Sequence, residues 1–202
     1  LPFQTCDVTD ADAVQAAFAA ARAENGPITG VIANAGAAHS APFHKITAQD
    51  MNDMMAVNVT GVFNVWQAAL SEMKDAGQGR LIAVASTAGL KGYPYVAGYV
   101  AAKHGVVGLM RALALELAPH KIRVNSIHPT TVDTPMVNNE ATFKLFRPDL
   151  DKPGVDDFLE AAKVMNALPV GWVQSVDISN AMVWLASDEA RYVTGVTLPV
   201  DA

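Results

Sequence analysis

"GRLIAVASTAGLKGYPYVAGYVAAKHGVVGLMRALALELAP", residues 79–119, changes its periodicity along its length. From Gly79 to Ser86 apolar residues occupy successive positions, so both faces of an extended segment need cover; this reads as a buried strand. From Val96 to Pro119 the run is too long for a strand and predicts one long helix, apolar almost all round and therefore buried on more than one side. A strand that needs cover on two faces, followed by an apolar helix, is the repeating unit of a parallel sheet with helices on both sides. The rest of the chain repeats the unit. "PFQTCDV" (2–8), "ITGVIANAG" (28–36), "IRVNSIHP" (122–129) and "GVTLPV" (195–200) read as strands. Helices are expected after Thr9, which serves as N-cap, up to Gly26-Pro27; over 47–76, capped by Thr47 and stopped by Gly77 and Gly79; and over 177–190. Residues 130–170 read as irregular, with Pro135, Pro148, Pro153 and Pro169 and one helix near 155–167. The expected architecture is one α/β domain over 1–202, a doubly wound parallel sheet in three layers. A loop as long as 130–170 inside a compact domain is usually a lid or binding segment.

Composition narrows the function. Of 202 residues, 51% are hydrophobic and 17% charged, and the net charge is −6. With no basic run, nucleic acid and an anionic membrane surface are poor partners. The single cysteine, Cys6, forms no intramolecular disulfide. No apolar stretch reaches the ~18 residues that span a bilayer. The opening "LPFQTCDVTD" has neither a basic start nor a cleavage site, so a cytoplasmic chain is expected; without an initiator Met it reads as a fragment or processed chain. No His, Asp or Glu spacing argues for a metal; His39, His44 and His104 read as surface or helix packing.

In an open parallel sheet, ligands sit beyond the carboxyl ends of the strands. Those ends carry Asn34-Ala35-Gly36, Ser86 and His128-Pro129-Thr130; His128, near the site, stays ambiguous. Tyr99 and Lys103 are i and i+4, so they share a helix face. Tyr95 has Tyr99 at its own i+4 position and Tyr93 has Ala97, so only Tyr99 has a cation one turn away. A free tyrosine, with pKa ~10, is a poor base at neutral pH. A nearby ammonium favours the phenolate, and a tuned phenol then exchanges a proton with an alcohol or carbonyl oxygen. A serine hydroxyl can hold the same oxygen. The pair alone is a weak signal, since this composition yields about 0.16 such pairs by chance. Asn58, Ser86 and the strand-end glycines at compatible places add the weight.

"ANAG" (33–36), "NVTG" (58–61), Ser86, "YVAAK" (99–103) and "IRVNSIHP" (122–129), in this order, resemble the short-chain dehydrogenases/reductases, and the resemblance runs from "DVTD" (7–10) to "VTGVTLPVDA" (193–202). It implies a Rossmann fold and an oxidoreductase that interconverts a secondary alcohol and a ketone with NAD. It implies a catalytic tetrad: Asn58 holds a water and passes protons to Lys103, Ser86 orients the substrate oxygen, Tyr99 is the acid/base, and Lys103 lowers the Tyr99 pKa and bonds the nicotinamide ribose. Asp7 resembles the position that bonds the adenine amino group, with Val8 beside it; capping of the following helix is the alternative. Asn34, Ala35 and Gly36 look like the turn along the adenosine ribose. Thr134, with the Val132 backbone, looks like the grip on the carboxamide. Leu90 and Tyr93 are expected to edge the substrate site. Met136, Phe143, Leu145, Phe146 and Met165 either wall an apolar pocket or pack the lid down. In the family the long helix and the helix near 60–74 form the contact between subunits, so the resemblance implies a homodimer or homotetramer.

Two departures stand out. The family has Pro-Gly where this chain has Pro129-Thr130, and a Cβ there restricts the backbone beside the nicotinamide. The Gly-rich phosphate loop, part of a first β-α-β unit, is absent before Leu1. The acidic residue that selects NAD over NADP lies outside these residues too, so NADP stays open. Without that loop the chain is expected to bind dinucleotide badly and to expose a sheet edge, and a catalytically inactive binding or structural subunit is the second reading. A dehydratase or epimerase is a third, less favoured because the C-terminal region is short. "HPTTVDTPM" (128–136), "NNEATFKLFRPDLDKPG" (138–154) and "DISNAMVWLASDEARYVTGVTLPVDA" (177–202) are similar to the actinobacterial mycofactocin-associated subgroup with its carveol dehydrogenase-like proteins. That implies a terpenoid- or steroid-like substrate and a separate redox carrier that reoxidises bound NADH.

Overall fold

The computed structural model describes residues 3–202. Among them four strands form one parallel sheet in the order β1 (Gly30–Ala33), β2 (Gly79–Val84), β3 (Ile122–Pro129) and β4 (Thr197–Val200). The register aligns Ala33 with Ala83, Val84 with Ile127 and Pro129 with Val200. All carboxyl ends therefore open on one edge of the sheet.

Alternation along the strands builds the two layers of core. Leu81 and Ala83, with Val31, Ala33, Ile122 and Val124, pack against α3 (Gly61–Ala76) and α4 (Ala97–Glu116) through Trp66, Met73, Val106 and Met110. Ile82 and Ile127 point to the opposite face and meet α7 (Ser175–Ala186) through Ile178 and Leu185. The period of two in the strands thus divides one sheet between two helical layers. Cover is incomplete at β1, which pairs on one side only among the described residues and leaves Ile32 43% exposed.

Helix α1 (Ala11–Asn25) corrects the expected cap. Asp10 accepts from the Asp12 and Ala13 amides at 3.0 Å each, because the Thr9 hydroxyl is occupied by Asp7 Oδ1 at 2.8 Å. Gly26 ends the helix at φ +79, which suits a residue without Cβ. Helix α2 (Ala48–Met55) starts, as expected, at a Thr47–Asp50 capping box. It runs into a π-helical turn over Ala56–Thr60 before α3, a feature the periodicity does not reveal. The strand expected over 2–8 does not form: residues 3–7 carry no regular structure and have no ladder partner, while Pro2 lies outside the described residues.

Helix α4 differs from the expectation of burial on more than one side. Its sheet-facing residues are buried, yet Ala101, Gly108, Ala112 and Leu115 form an exposed stripe, with Leu115 at 81%. Between β3 and β4 the 130–170 stretch is more ordered than expected. It holds α5 (Glu140–Phe146), which the sequence reading missed, and α6 (Val155–Ala162). Phe143, Phe146, Phe158 and Trp172 pack there as a small aromatic core, with Phe158 ring centroids 4.8–5.8 Å from the other three. No helix among the described residues is long and apolar enough to cross a membrane.

Candidate active site

A cleft of about 1130 Å³ opens where the carboxyl ends of β1, β2 and β3 meet α4, α7 and the 130–170 segment. Asn34, Ala35, Gly36, Asn58, Ser86, Tyr99, Lys103, Pro129, Thr130, Val132 and Thr134 all line it. So do Tyr93, Met136, Leu145, Phe146 and Met165. A second groove, of about 570 Å³, lies away from these groups between Phe3, α1 and the open side of β1. The chemistry-bearing side chains are in the first.

Asn58 owes its place to the π turn. Its amide nitrogen donates to the Ala37 carbonyl at 2.9 Å and the Met54 carbonyl at 3.0 Å, and its Oδ1 accepts from the Ala37 amide at 3.3 Å. A π turn widens the helix locally and often marks a functional position. Here it turns a fully buried amide towards the loop after β1. Gly36 in that loop has no room for a side chain: a Cβ would stand 3.0 Å from Asn58 Oδ1 and 3.5 Å from Lys103 Nζ. The glycine expected to admit a cofactor is thus also the one that lets the loop reach Asn58 and Lys103.

Lys103 is buried, and its ammonium donates to the Val84 carbonyl at 3.1 Å and lies 5.5 Å from the Tyr99 ring centroid. Burial lowers its pKa to about 8, because a desolvated ammonium loses hydration. Tyr99 departs from expectation. Its pKa is raised, with burial the leading cause and the Ser86 hydrogen bond pulling the other way. The neighbouring ammonium does not bring the phenol below its ordinary value, so Tyr99 is protonated at neutral pH.

Two further expectations are corrected, and the alternative left open for Phe143 is decided. Asp7 and Val8 do not reach the cleft: the Asp7 carboxylate turns back on Thr9, and the Val8 carbonyl accepts from Asn64 at 2.9 Å while its side chain packs on Gly61. The capping alternative for Asp7 is not realised either, since Asp10 holds the N-cap of α1 and the Asp7 carboxylate accepts from the Thr9 amide and hydroxyl, three residues before it. Leu90 is half-exposed and outside the lining, because the 3-10 turn after Ser86 points it to solvent. Phe143 faces the aromatic core of the 130–170 segment, whereas Phe146 serves both that core and the cleft wall.

Thr130 resolves its own departure. It is not among the residues with positive φ, so its backbone is ordinary, and its hydroxyl donates to Asn166 Oδ1 at 2.9 Å. The side chain that glycine lacks thus bonds to Asn166, further along the 130–170 segment. Sequence reasoning gave Tyr95 no role, yet it lines the cleft at φ +66 with its carbonyl accepting from Ala41 at 2.8 Å. Ser179 and Met182 of α7 also line the cleft unforeseen, since only the packing of α7 brings them there.

The family model described as "short chain dehydrogenase" matches residues 1–144. A putative short-chain type dehydrogenase/reductase of Mycolicibacterium smegmatis is 50% identical over 198 residues, covering 97% of this chain and 71% of the relative. The (-)-trans-carveol dehydrogenase of Rhodococcus erythropolis is 49% identical over 200 residues, covering 97% and 72%. Among solved structures, carveol dehydrogenase from Mycobacterium avium in complex with NAD superposes with a TM-score of 0.96 at 47% identity, over 98% of this chain and 73% of that one.

Proposed function

The chain belongs to the short-chain dehydrogenase family, and from that premise we propose that it is an NAD-dependent oxidoreductase interconverting a secondary alcohol and a ketone on a small apolar, terpenoid-like substrate. The observation that carries the reading is the meeting of Ser86, Tyr99, Lys103 and Asn58 on the wall of one cleft that is otherwise largely apolar.

The donor set fits a nicotinamide cofactor. Gly36 keeps one wall clear at Lys103 and Asn58, and Thr130, Val132 and Thr134 line the same cleft. Asn34, Ala35 and Gly36 would lie along the adenosine ribose, Lys103 would bond the other ribose, Pro129 and Thr130 would back the ring, and Thr134 with the Val132 backbone would hold the carboxamide. When bound, the nicotinamide supplies the hydride acceptor or donor.

The chain's own groups handle the proton. Ser86 holds the substrate oxygen by its hydroxyl. In ketone reduction Tyr99, protonated at neutral pH, gives its proton to that oxygen; in alcohol oxidation its phenolate takes the proton away. Lys103, charged below about pH 8, stabilises the phenolate. Asn58 keeps the loop after β1 in register through its bonds to Ala37. Tyr93, Met136, Leu145, Phe146 and Met165 supply apolar surface suited to a cyclic hydrocarbon. This set of buried polar groups speaks for turnover over a binding subunit.

Three finer points belong to the proposal. A separate redox carrier of the mycofactocin type reoxidises the bound nucleotide, supported by the likeness of residues 128–154 and 177–202 to that subgroup. The chain acts as a homodimer or homotetramer, supported by the exposed stripe of α4; a monomer at micromolar concentration in analytical ultracentrifugation would refute it. It works in the cytoplasm, where such cofactors and carriers reside. The deciding experiment is native mass spectrometry with and without NAD, followed by NADH absorbance on adding carveol. Nucleotide binding and carveol-dependent NADH support the reading, and a protein that takes up neither overturns it.

A further inference from the structure

His128 is a fully buried imidazole beside the site that the reaction described above leaves unused. Its Nδ1 lies 2.6 Å from the Ser86 carbonyl oxygen and its Nε2 lies 2.8 Å from Ser126 Oγ. A carbonyl oxygen can only accept, so Nδ1 carries the proton and Nε2 accepts from the Ser126 hydroxyl. One neutral tautomer satisfies both contacts. The Ser86 carbonyl also accepts from the Gly89 amide at 2.9 Å, and Ser86 Oγ accepts from the Ala88 amide at 3.1 Å. Both lone pairs of that carbonyl are engaged, from two directions. Packing is as tight as the bonding: a Cβ on Gly89 would stand 2.8 Å from the Lys103 carbonyl oxygen and 3.3 Å from His128 Cε1. The imidazole, the serine turn and the turn of α4 that carries Lys103 are thus locked against one another.

We propose that His128 is the positioning residue for Ser86: the neutral imidazole, oriented by Ser126, grips the Ser86 carbonyl and so keeps the Ser86 hydroxyl on Tyr99 and on the substrate oxygen. The inference rests on the roles given to Ser86 and Tyr99 under the proposed function. The surroundings keep the ring neutral. Burial lowers its pKa, the bond to Ser86 opposes this, Lys103 and Arg111 of α4 add to the lowering, and Asp201 beyond β4 opposes it. The groups that face Tyr99 are Ser86 from the end of β2 and Lys103 from its own helix. Because the Ser86 hydrogen bond lowers the Tyr99 pKa, a displaced Ser86 leaves that pKa higher.

The test uses the full chain with NAD and carveol, comparing His128→Asn, His128→Gln and His128→Leu with Ser86→Ala. An Asn amide reaches the place of Nδ1, whereas Gln reaches that of Nε2. His128→Leu is expected to lower kcat by about 10–100-fold, the scale of a misplaced reacting group, with NAD affinity within twofold of the parent. The rising limb of the kcat profile for oxidation should move to higher pH, and the tyrosinate absorbance assigned by difference from Tyr99→Phe should move with it. His128→Asn should recover most of both changes and His128→Gln should not. An unshifted pH profile, whatever happens to Tm, overturns the proposal, as do Asn and Gln variants that behave alike. If the Leu variant does not fold, the Asn/Gln pair decides. Full activity in Ser86→Ala overturns the reading of Ser86 itself, and with it this inference; loss there with no change in His128→Leu overturns the inference alone.

Discussion

The ends of β2 and β3 and the 130–170 segment face each other across one cleft but are stabilised differently. On the strand side the groups are polar, buried and saturated: Asn58, Lys103, Ser126 and His128 are all buried, and each has hydrogen-bond partners. Buried polar groups cost stability unless every bond is made, so such a network has one arrangement and resists displacement. On the lid side the order comes from an aromatic core of its own. Its polar ties to the scaffold include Thr130 to Asn166 and Thr131 to the Gly171 carbonyl at 2.7 Å. The comparison separates two tasks. On the proposed function, proton chemistry would sit where positions are over-determined, and much of the apolar cleft wall would sit on a segment with an aromatic core of its own.

The largest expected effect lies on the strand side. Tyr99→Phe removes the proton carrier and should cut kcat by about 10²–10⁴, leaving NAD binding and Tm close to the parent; NADH absorbance and calorimetry read the two. Activity within tenfold of the parent would break the assignment. On the lid side, Phe158→Ala empties the centre of the aromatic core and should cost about 3–5 kcal/mol of local stability. Amide exchange should rise across α5 and α6 and KM for the alcohol should increase, while the pH profile stays put. Faster exchange spreading into β2 and β3 instead would show that the two regions form one cooperative unit.

A smaller effect is the pH dependence, which belongs to the strand side alone. Only the phenolate takes a proton, and the Tyr99 pKa is raised, so oxidation should speed up with pH by up to about tenfold per unit below that pKa. The slope should ease above about pH 8, where Lys103 loses its charge and supports the phenolate less. Reduction, which needs the protonated phenol, should not fall over the same window. Stopped-flow rates in both directions check this, and a rate of oxidation that declines between pH 7 and 8 contradicts it. Smallest is Asn166→Ala, which removes the acceptor for Thr130 and a donor at 2.7 Å to the Val170 carbonyl. A loss of about 1 kcal/mol is expected, visible as a modest rise in KM with kcat within a few-fold; a large drop in kcat would mean that the lid link supports the chemistry itself.

Much of this was legible in the residues. Continuous apolar runs give most of the strands and their need for cover on both faces, and Tyr99 one helical turn before Lys103 needs no tertiary information. What escaped has identifiable causes. The π turn at Asn58 and the φ +66 of Tyr95 leave no mark in hydrophobic periodicity. The short α5, interrupted by prolines nearby, falls below the length at which a helical pattern declares itself. Residues 3–7 have the composition of a strand, yet a strand is completed only by a neighbour to bond, and none is paired there.

The sequence by itself determined the parallel α/β architecture, the family, and the candidates for the groups that would exchange the proton, because these depend on side-chain chemistry and on spacing within single elements. Only the tertiary structure decided their electrostatics and their supports. Burial depends on what other elements place around a group, so it raised the Tyr99 pKa where a neighbouring lysine predicted the reverse. The same dependence turned His128 from an ambiguous strand end into a donor to the Ser86 carbonyl, and Thr130 from a departure from the family pattern into a tie to Asn166 in the 130–170 segment.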